Sequence, residues 1–314
     1  MPLSILRSNA SLLAFFLMGV LLFCLALPLV QLVSGRAGID NLDKKVIDFK
    51  LDALRKASPN RIIIISGSNG WYSIDSDQIA AAFHRPVINL AVHFGLFQYM
   101  LEQAVPLVHE GDIVLMPIEY EHYLQPQSMG EMEACVRIFN DFPLSRSPGW
   151  YEALNACPNE WEKFRVAFNN IILGPSSESG DITQSLTPAG DHLGNTKSAA
   201  KWRGGWTLNA SGDMSHIDQP RIENAIARMK KNGAKALITF PVQPLESLKN
   251  KAILEKWHKL ISKWGEKQGV AVISTPEVHL FPDKCFFDSP CHLHRGCSPK
   301  NTQIYIKAIQ SVIQ

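Results

Sequence analysis

Apolar residues in this chain fall into short runs, and the runs alternate with longer amphipathic stretches. The segment Arg61-Ile-Ile-Ile-Ile-Ser66 is the sharpest case. Four isoleucines in a row carry no alternation, so the strand they predict is buried on both faces. Val87–Leu90, Asp112–Ile118, Lys235–Phe240 and Val270–Ser274 predict further strands. Between them, 3.6-residue spacing predicts helices over Ser76–His84, Leu96–His109, Gln219–Asn232, Leu245–Gln268 and Lys300–Ile313. Ala80, Ala81 and Ala82 support the first of these. Pro106 bends or ends the second.

Strands that alternate with helices argue a parallel sheet covered on both faces, its crossovers right-handed. The fold expected is a flavodoxin-like three-layer α/β/α sandwich with a parallel sheet. Its domain runs over residues 61–314. Residues from about 121 to 216 break the rhythm and are rich in Pro, Gly, Ser, Asn and Trp. They read as a long insertion with local helices such as Trp161–Asn169. Trp150, Trp161, Trp202 and Trp206 would mostly pack this loop-rich segment, with a sugar platform as the other use.

The N-terminus has a different pattern. No charged residue lies between Arg7 and Arg36, and Ala10 to Val33 is almost wholly apolar. About 20 such residues cross a bilayer core of ~30 Å. Residues 1–36 therefore predict one N-terminal transmembrane helix, longer than the apolar part of a signal peptide. A cleaved signal ending near Gly35 is the alternative. Residues 37–60, with an amphipathic helix over Asp40–Lys56, read as a linker. Basic residues on both sides of the apolar segment leave its orientation weakly determined.

Cysteines favour the outside. Cys285, Cys291 and Cys297 cluster near the C-terminus, after Cys135 and Cys157. That clustering fits an oxidising compartment, and the pairing stays open. The expected place is the inner (cytoplasmic) membrane, with the folded body in the periplasm or extracytoplasmic space. Among 314 residues the net charge is only +2. There is no basic tract for nucleic acid.

In an open parallel sheet, ligands sit beyond the carboxyl ends of the strands. Three loops belong to that rim: Ser66-Gly-Ser68-Asn69-Gly70, Asn89-Leu-Ala-Val-His93-Phe-Gly95, and Phe286-Phe-Asp288-Ser-Pro-Cys-His292. Ser68 would be a nucleophile, His292 the base that takes its proton, and Asp288 the group that orients His292. Backbone N–H groups of Ser68 and Gly95 would hold an oxyanion. Ser66 competes as the nucleophile, although it also suits the strand end. Asn69, His93 and Glu119 lie at the same rim as candidate pocket residues, and a polar strand end is the plain alternative. Cys291, His292, His294 and Cys297 offer a rival zinc site, but their spacing fits no standard ligand pair.

These blocks resemble those of the SGNH (GDSL-like) hydrolase superfamily. "SGSNGWYSIDSDQIAAAFHRPVINLAVHFG" and "FFDSPCHLHRGC", behind one membrane helix, resemble its membrane-anchored, DltD-like branch. The resemblance implies a Ser68–His292–Asp288 triad, Gly95 as oxyanion donor, and no metal or organic cofactor. It implies an extracytoplasmic serine O-acyltransferase or esterase that moves an acyl group, acetyl- or D-alanyl-like, onto or off a cell-envelope or exported polymer. The implied partner is a membrane-bound O-acyltransferase. A non-catalytic partner of such an enzyme, or a secreted deacylase, are the alternatives. Two features depart from the pattern. Pro117-Ile-Glu119-Tyr120 has no Asn where the family's third block carries one, and the Asp288-to-His292 spacing is one residue longer than its commonest form.

Overall fold

The computed structural model describes residues 42–124, 133, 136–137, 182–196, 216–246 and 252–313, with Met18. The chain divides into two compact units, Met1–Asn41 with Ala134–Gly180, and Leu42–Glu133 with Asp181–Gln314. Among the described residues, every strand and every candidate site residue lies in the second unit. The expected membrane anchor and the four insertion tryptophans lie outside the described residues, as does the Trp161–Asn169 helix. Among the described residues no helix is long and apolar enough to cross a membrane.

The strands are β1 (Ile62–Ile64), β2 (Val87–Asn89), β3 (Ile113–Pro117), β4 (Lys235–Thr239), β5 (Gln243–Pro244), β6 (Ala271–Val272) and β7 (Leu280–Phe281). The helices are α1 (Leu42–Lys56), α2 (Ser68–Ser73), α3 (Ser76–Phe83), α4 (Phe97–Ala104), α5 (Glu121–Leu124), α6 (Pro220–Lys231), α7 (Ala252–Gln268) and α8 (Ser298–Ile313). Five strands form one parallel sheet in the order β2-β1-β3-β4-β6, and β5 pairs with β7 as a small separate parallel ribbon. Ile62 of β1 is in register with Val87 of β2 and Ile113 of β3. The chain leaves β1 towards β2 on one side and towards β3 on the other. The order reverses between β1 and β3, which makes that edge the natural crevice of the sheet.

The isoleucine run is explained by burial on both faces. Ile62, Ile64, Ile113, Leu115 and Leu237 point one way, into a core shared with Ile79 of α3 and Tyr305, Ile306 and Ile309 of α8. Ile63, Ile65, Val114, Met116 and Ile238 point the other way and are equally inaccessible. On α6, Ile222, Ala225, Ile226 and Met229 are buried; the helix packs against β4 and α4. Asp75 caps α3 by accepting from the Gln78 N–H at 3.2 Å. The helix predicted over Leu96–His109 ends earlier, at Ala104, and continues as a 3-10 turn through Pro106. Proline has no N–H to extend an α-helix.

Two further segments pack into this unit. The helix taken as a linker is core: Val46, Ile47, Lys50, Leu51 and Leu54 of α1 are all buried. This stripe covers β2 and α4 and is as much a part of the unit as α3. Part of the insertion packs there too. Residues 182–196 belong to the same unit, where a bridge pairs Leu186 with His192.

The entry to β1 is held by a buried ion pair. Arg61 and Asp112 are both inaccessible, with Nη2 to Oδ2 at 2.5 Å. Asp112 also accepts from the backbone N–H groups of Arg61 and His109, both at 2.9 Å, while Arg61 donates to the carbonyls of Leu54 and Leu107. Burial pushes the Asp112 carboxyl up, but the Arg61 and His109 hydrogen bonds outweigh it and hold it below the usual range. Arg61→Ala would leave that carboxylate buried and unpaired, a loss of about 3–5 kcal/mol in urea unfolding at neutral pH. Because the folded value is depressed, the Asp112 contribution is present above its unfolded pKa. It is lost as pH falls through the folded one, so the variant's deficit shrinks in acid.

Candidate active site

The Ser66-Gly67-Ser68-Asn69-Gly70 turn divides its tasks among its residues. Ser66 is fully buried, donates to the Gly67 carbonyl at 2.8 Å, and accepts from the Gly70 N–H at 3.0 Å. It locks the turn and is not free to act as a nucleophile. A Cβ on Gly70 would lie 2.1 Å from Ser66 Oγ, so only glycine fits there. Ser68 opens α2 and is partly exposed; neither its hydroxyl nor its N–H has a hydrogen-bond partner among the described residues.

Asn69 and Glu119 lie elsewhere than expected. Asn69 is fully buried; its Nδ2 donates to the Pro117 carbonyl and its Oδ1 accepts from the Val242 N–H at 3.1 Å. It ties the turn to β3 and to the segment after β4, out of reach of any substrate. Glu119 is 3% exposed and accepts from two amides, Gly67 N–H at 3.1 Å and Asn69 N–H at 3.2 Å. It lies just beyond the end of β3, buried against the turn that follows β1. The N–H of Gly95, the expected oxyanion donor, donates to Nδ1 of exposed His93 at 3.1 Å, within its own loop.

Asp288 and His292 do come together. Asp288 Oδ1 lies 2.6 Å from His292 Nδ1, and His292 Nε2 has no hydrogen-bond partner among the described residues. The hydrogen bond to His292 holds the Asp288 carboxyl below its usual range, against partial burial. The loop that carries them is closed by the Cys285–Cys297 disulfide, the Phe286–Leu293 bridge, and the Phe287 N–H donating to the His292 carbonyl at 2.8 Å. The disulfide takes Cys297 out of the expected zinc set, and with it the upstream Cys285 that lies beside His294. Cys291 remains a free thiol.

The loop is fastened to the end of α2. Ser73 Oγ donates to the Cys291 carbonyl at 3.2 Å and accepts from the Leu293 N–H at 3.1 Å. The His292 ring stacks on Tyr72, centroids 4.1 Å apart and planes 24° from parallel. Tyr72 follows Ser68 by four residues, one helical turn or about 6 Å along α2, on the same face. Burial first, and then the Asp288 charge, push the Tyr72 hydroxyl up to about 12, so it stays neutral.

Sequence reasoning missed His192. Its ring lies 4.6 Å from Tyr72, on a segment outside the strand–helix rhythm. Burial, and then the charges of Lys50 and His292, lower it to about 4, so it is neutral at neutral pH. The preceding Asp191 explains its place. Asp191 is buried and accepts from Ser76 N–H, Ser76 Oγ and Asn89 Nδ2. Asn89 in turn donates to the Gly70 carbonyl at 2.9 Å. Lys50 of α1 donates to the carbonyls of Asn89 and Gly190, 2.7 and 2.6 Å away. Burial, opposed by the Asp191 charge, draws it down to about 7. The readable signal was Gly190-Asp-His192, an Asp-His pair beside a glycine with φ of +101°.

Replacing Cys297 by Ser opens the loop that aligns Asp288 with His292. Closing a loop of about 15 residues is worth about 3 kcal/mol, and this one is slightly shorter. A loss of about 2–4 kcal/mol is expected by denaturant unfolding, together with faster amide exchange over 286–293 than over α2. Compared with family models and with curated proteins, the chain matches none.

Proposed function

We propose that this protein is a serine acyl-transfer enzyme of SGNH type, with Ser68 as nucleophile, His292 as general base and Asp288 as its orienting acid. One observation carries the reading. The Asp288–His292 pair leaves Nε2 unbonded among the described residues and is fixed, through Tyr72 and Ser73, to the short helix that Ser68 opens. Ser68 Oγ attacks an acyl ester carbonyl, and its proton passes to His292 Nε2. The imidazolium, held by Asp288, returns the proton to the leaving alcohol. The acyl-Ser68 ester is then attacked by an acceptor hydroxyl or by water, which gives its proton to the same nitrogen. The Ser68 N–H, unbonded among the described residues, is the candidate oxyanion donor.

The wider reading belongs to the same proposal. The order β2-β1-β3-β4-β6, which is 2-1-3-4-5 when only the strands of that sheet are counted, supports the flavodoxin-like sandwich. The apolar stretch from Ala10 to Val33 supports a membrane-anchored body on the extracytoplasmic side, next to a membrane-bound O-acyltransferase. The disulfide supports an oxidising compartment. The acyl acceptor would be an envelope or exported polymer. The opposing reading, a non-catalytic partner of a membrane acyltransferase, draws on two observations. No hydrogen bond joins Ser68 to His292 among the described residues, and the Gly95 N–H is taken by His93. Catalytic hydrogen bonds are often long before substrate binds, so the first of these does not decide the matter.

A fluorophosphonate probe separates the two. In the catalytic reading Ser68 is labelled, Ser68→Ala and His292→Ala abolish labelling, and Asp288→Asn slows it by about three to four orders of magnitude. An intact fold without labelling supports the scaffold.

A further inference from the structure

We propose that Glu119 is a positioning residue for the Ser68 reaction: it holds the turn that carries the nucleophile and makes acylation depend on the charge of its own carboxyl. The inference rests on the reading of Ser68 as the nucleophile. The geometry is specific. Glu119 takes the two amides that bracket Ser68, those of Gly67 and Asn69, one on each carboxyl oxygen. The approach is close enough that a Cβ on Gly67 would lie 2.4 Å from Glu119 Oε1. The carboxyl is therefore packed directly against the turn that carries the reacting group.

What faces Glu119 does not neutralise it. Among the described residues no lysine or arginine pairs with it. His122 of α5 lies beside it, with Nε2 at 3.7 Å from Oε2. His122 is buried, stacks on Phe94 at 4.1 Å, and neither ring nitrogen is hydrogen-bonded. Burial draws it down to about 3, so it carries no positive charge at neutral pH. Glu121 adds a like charge. Tyr123, Tyr305 and Cys291 also lie within its field, and burial keeps all three neutral. Burial consequently raises Glu119 to about 7, even though the Asn69 and Gly67 hydrogen bonds favour its anion. With the folded value above the unfolded one, its contribution to stability is full in acid and is lost as pH rises through about 7.

Attack by Ser68 Oγ places negative charge on the acyl or phosphonyl oxygen. An ionised Glu119, held on the two amides beside Ser68, opposes that charge, whereas a neutral carboxyl removes the repulsion and keeps its carbonyl oxygen as an acceptor for the brace. The test is the rate of Ser68 labelling by a fluorophosphonate on the full-length protein across pH, for the wild type, Glu119→Gln and Glu119→Asp. In that step Oγ bonds to phosphorus, fluoride leaves, and the hydroxyl proton goes to His292. The His292 dependence is common to all three proteins and cancels in the ratio of rates. The Glu119→Gln to wild-type ratio is expected to rise by about tenfold as pH passes from acid through about 7, one pKa-unit equivalent of interaction. Glu119→Asp keeps the pH dependence of the wild type. A brace with only a structural role would change the rate by the same factor at every pH, and a flat ratio overturns the inference. Should Glu119→Gln not fold, difference infrared spectroscopy of the wild type reads the carboxyl directly. A protonated band that fades through neutral pH supports the inference, and a carboxyl already ionised in mild acid overturns it. No labelling of folded wild type overturns the reading of Ser68 itself, and this inference with it.

Discussion

The site depends on satisfying the end of one short helix. A helix leaves its last carbonyls without intrahelical donors, and buried carbonyls without partners are costly. In α2 the groups concerned are the carbonyls of Tyr72 and Ser73. Asn195 Nδ2 and Ser298 Oγ donate to Tyr72, and Asn301 Nδ2 donates to Ser73. These donors come from segments more than 120 residues later in the chain, and Asn195 also holds the Leu293 carbonyl at 2.9 Å. The requirement of two carbonyls thus gathers residues 195, 293, 298 and 301 around α2. The Asp288–His292 loop arrives as a consequence.

A second set of buried polar groups works from the other side of the turn. Lys50, Asn89, Asp191 and Ser76 bind α1, β2, α3 and the segment before His192 into one network. Glu119 and Asn69 bind the same turn to β3 and to the backbone after β4. Ser68 is therefore the one member of Ser66–Gly70 that is not consumed in bracing. A hydroxyl with no partner, on a backbone held from several directions, is pre-organised, and pre-organisation is what a reacting group requires.

Much of the architecture was legible because its cause is local. Doubly buried strands must be continuously apolar, so Ile62–Ile64 and Ile113–Pro117 stand out. The Asp288 and His292 pair was legible for a similar reason: a carboxylate and an imidazole four residues apart on one short loop can reach each other. The roles of Asn69, Gly95 and Glu119 were not legible. A polar side chain or an N–H group at a strand end reads the same whether it faces solvent or a neighbouring amide. Only packing decides, and here Glu119 faces the Gly67 and Asn69 amides. The core role of α1 was hidden as well, because an amphipathic helix looks the same over a sheet as over a linker.

The amino-acid pattern by itself determined the alternation of strands and helices, the parallel sheet, and three rim loops carrying Ser68, Gly95 and the Asp288–His292 pair. Those are consequences of period and burial, which neighbouring residues dictate. The tertiary structure alone decided which polar groups are spent on bracing and which stay free. It placed Glu119 behind Ser68, turned the Gly95 N–H to His93, joined Cys285 to Cys297, and brought His192 against Tyr72. The reason is physical. A hydrogen-bond partner or a disulfide is chosen by distance in the folded chain, and that distance is set by every element packed between the two residues.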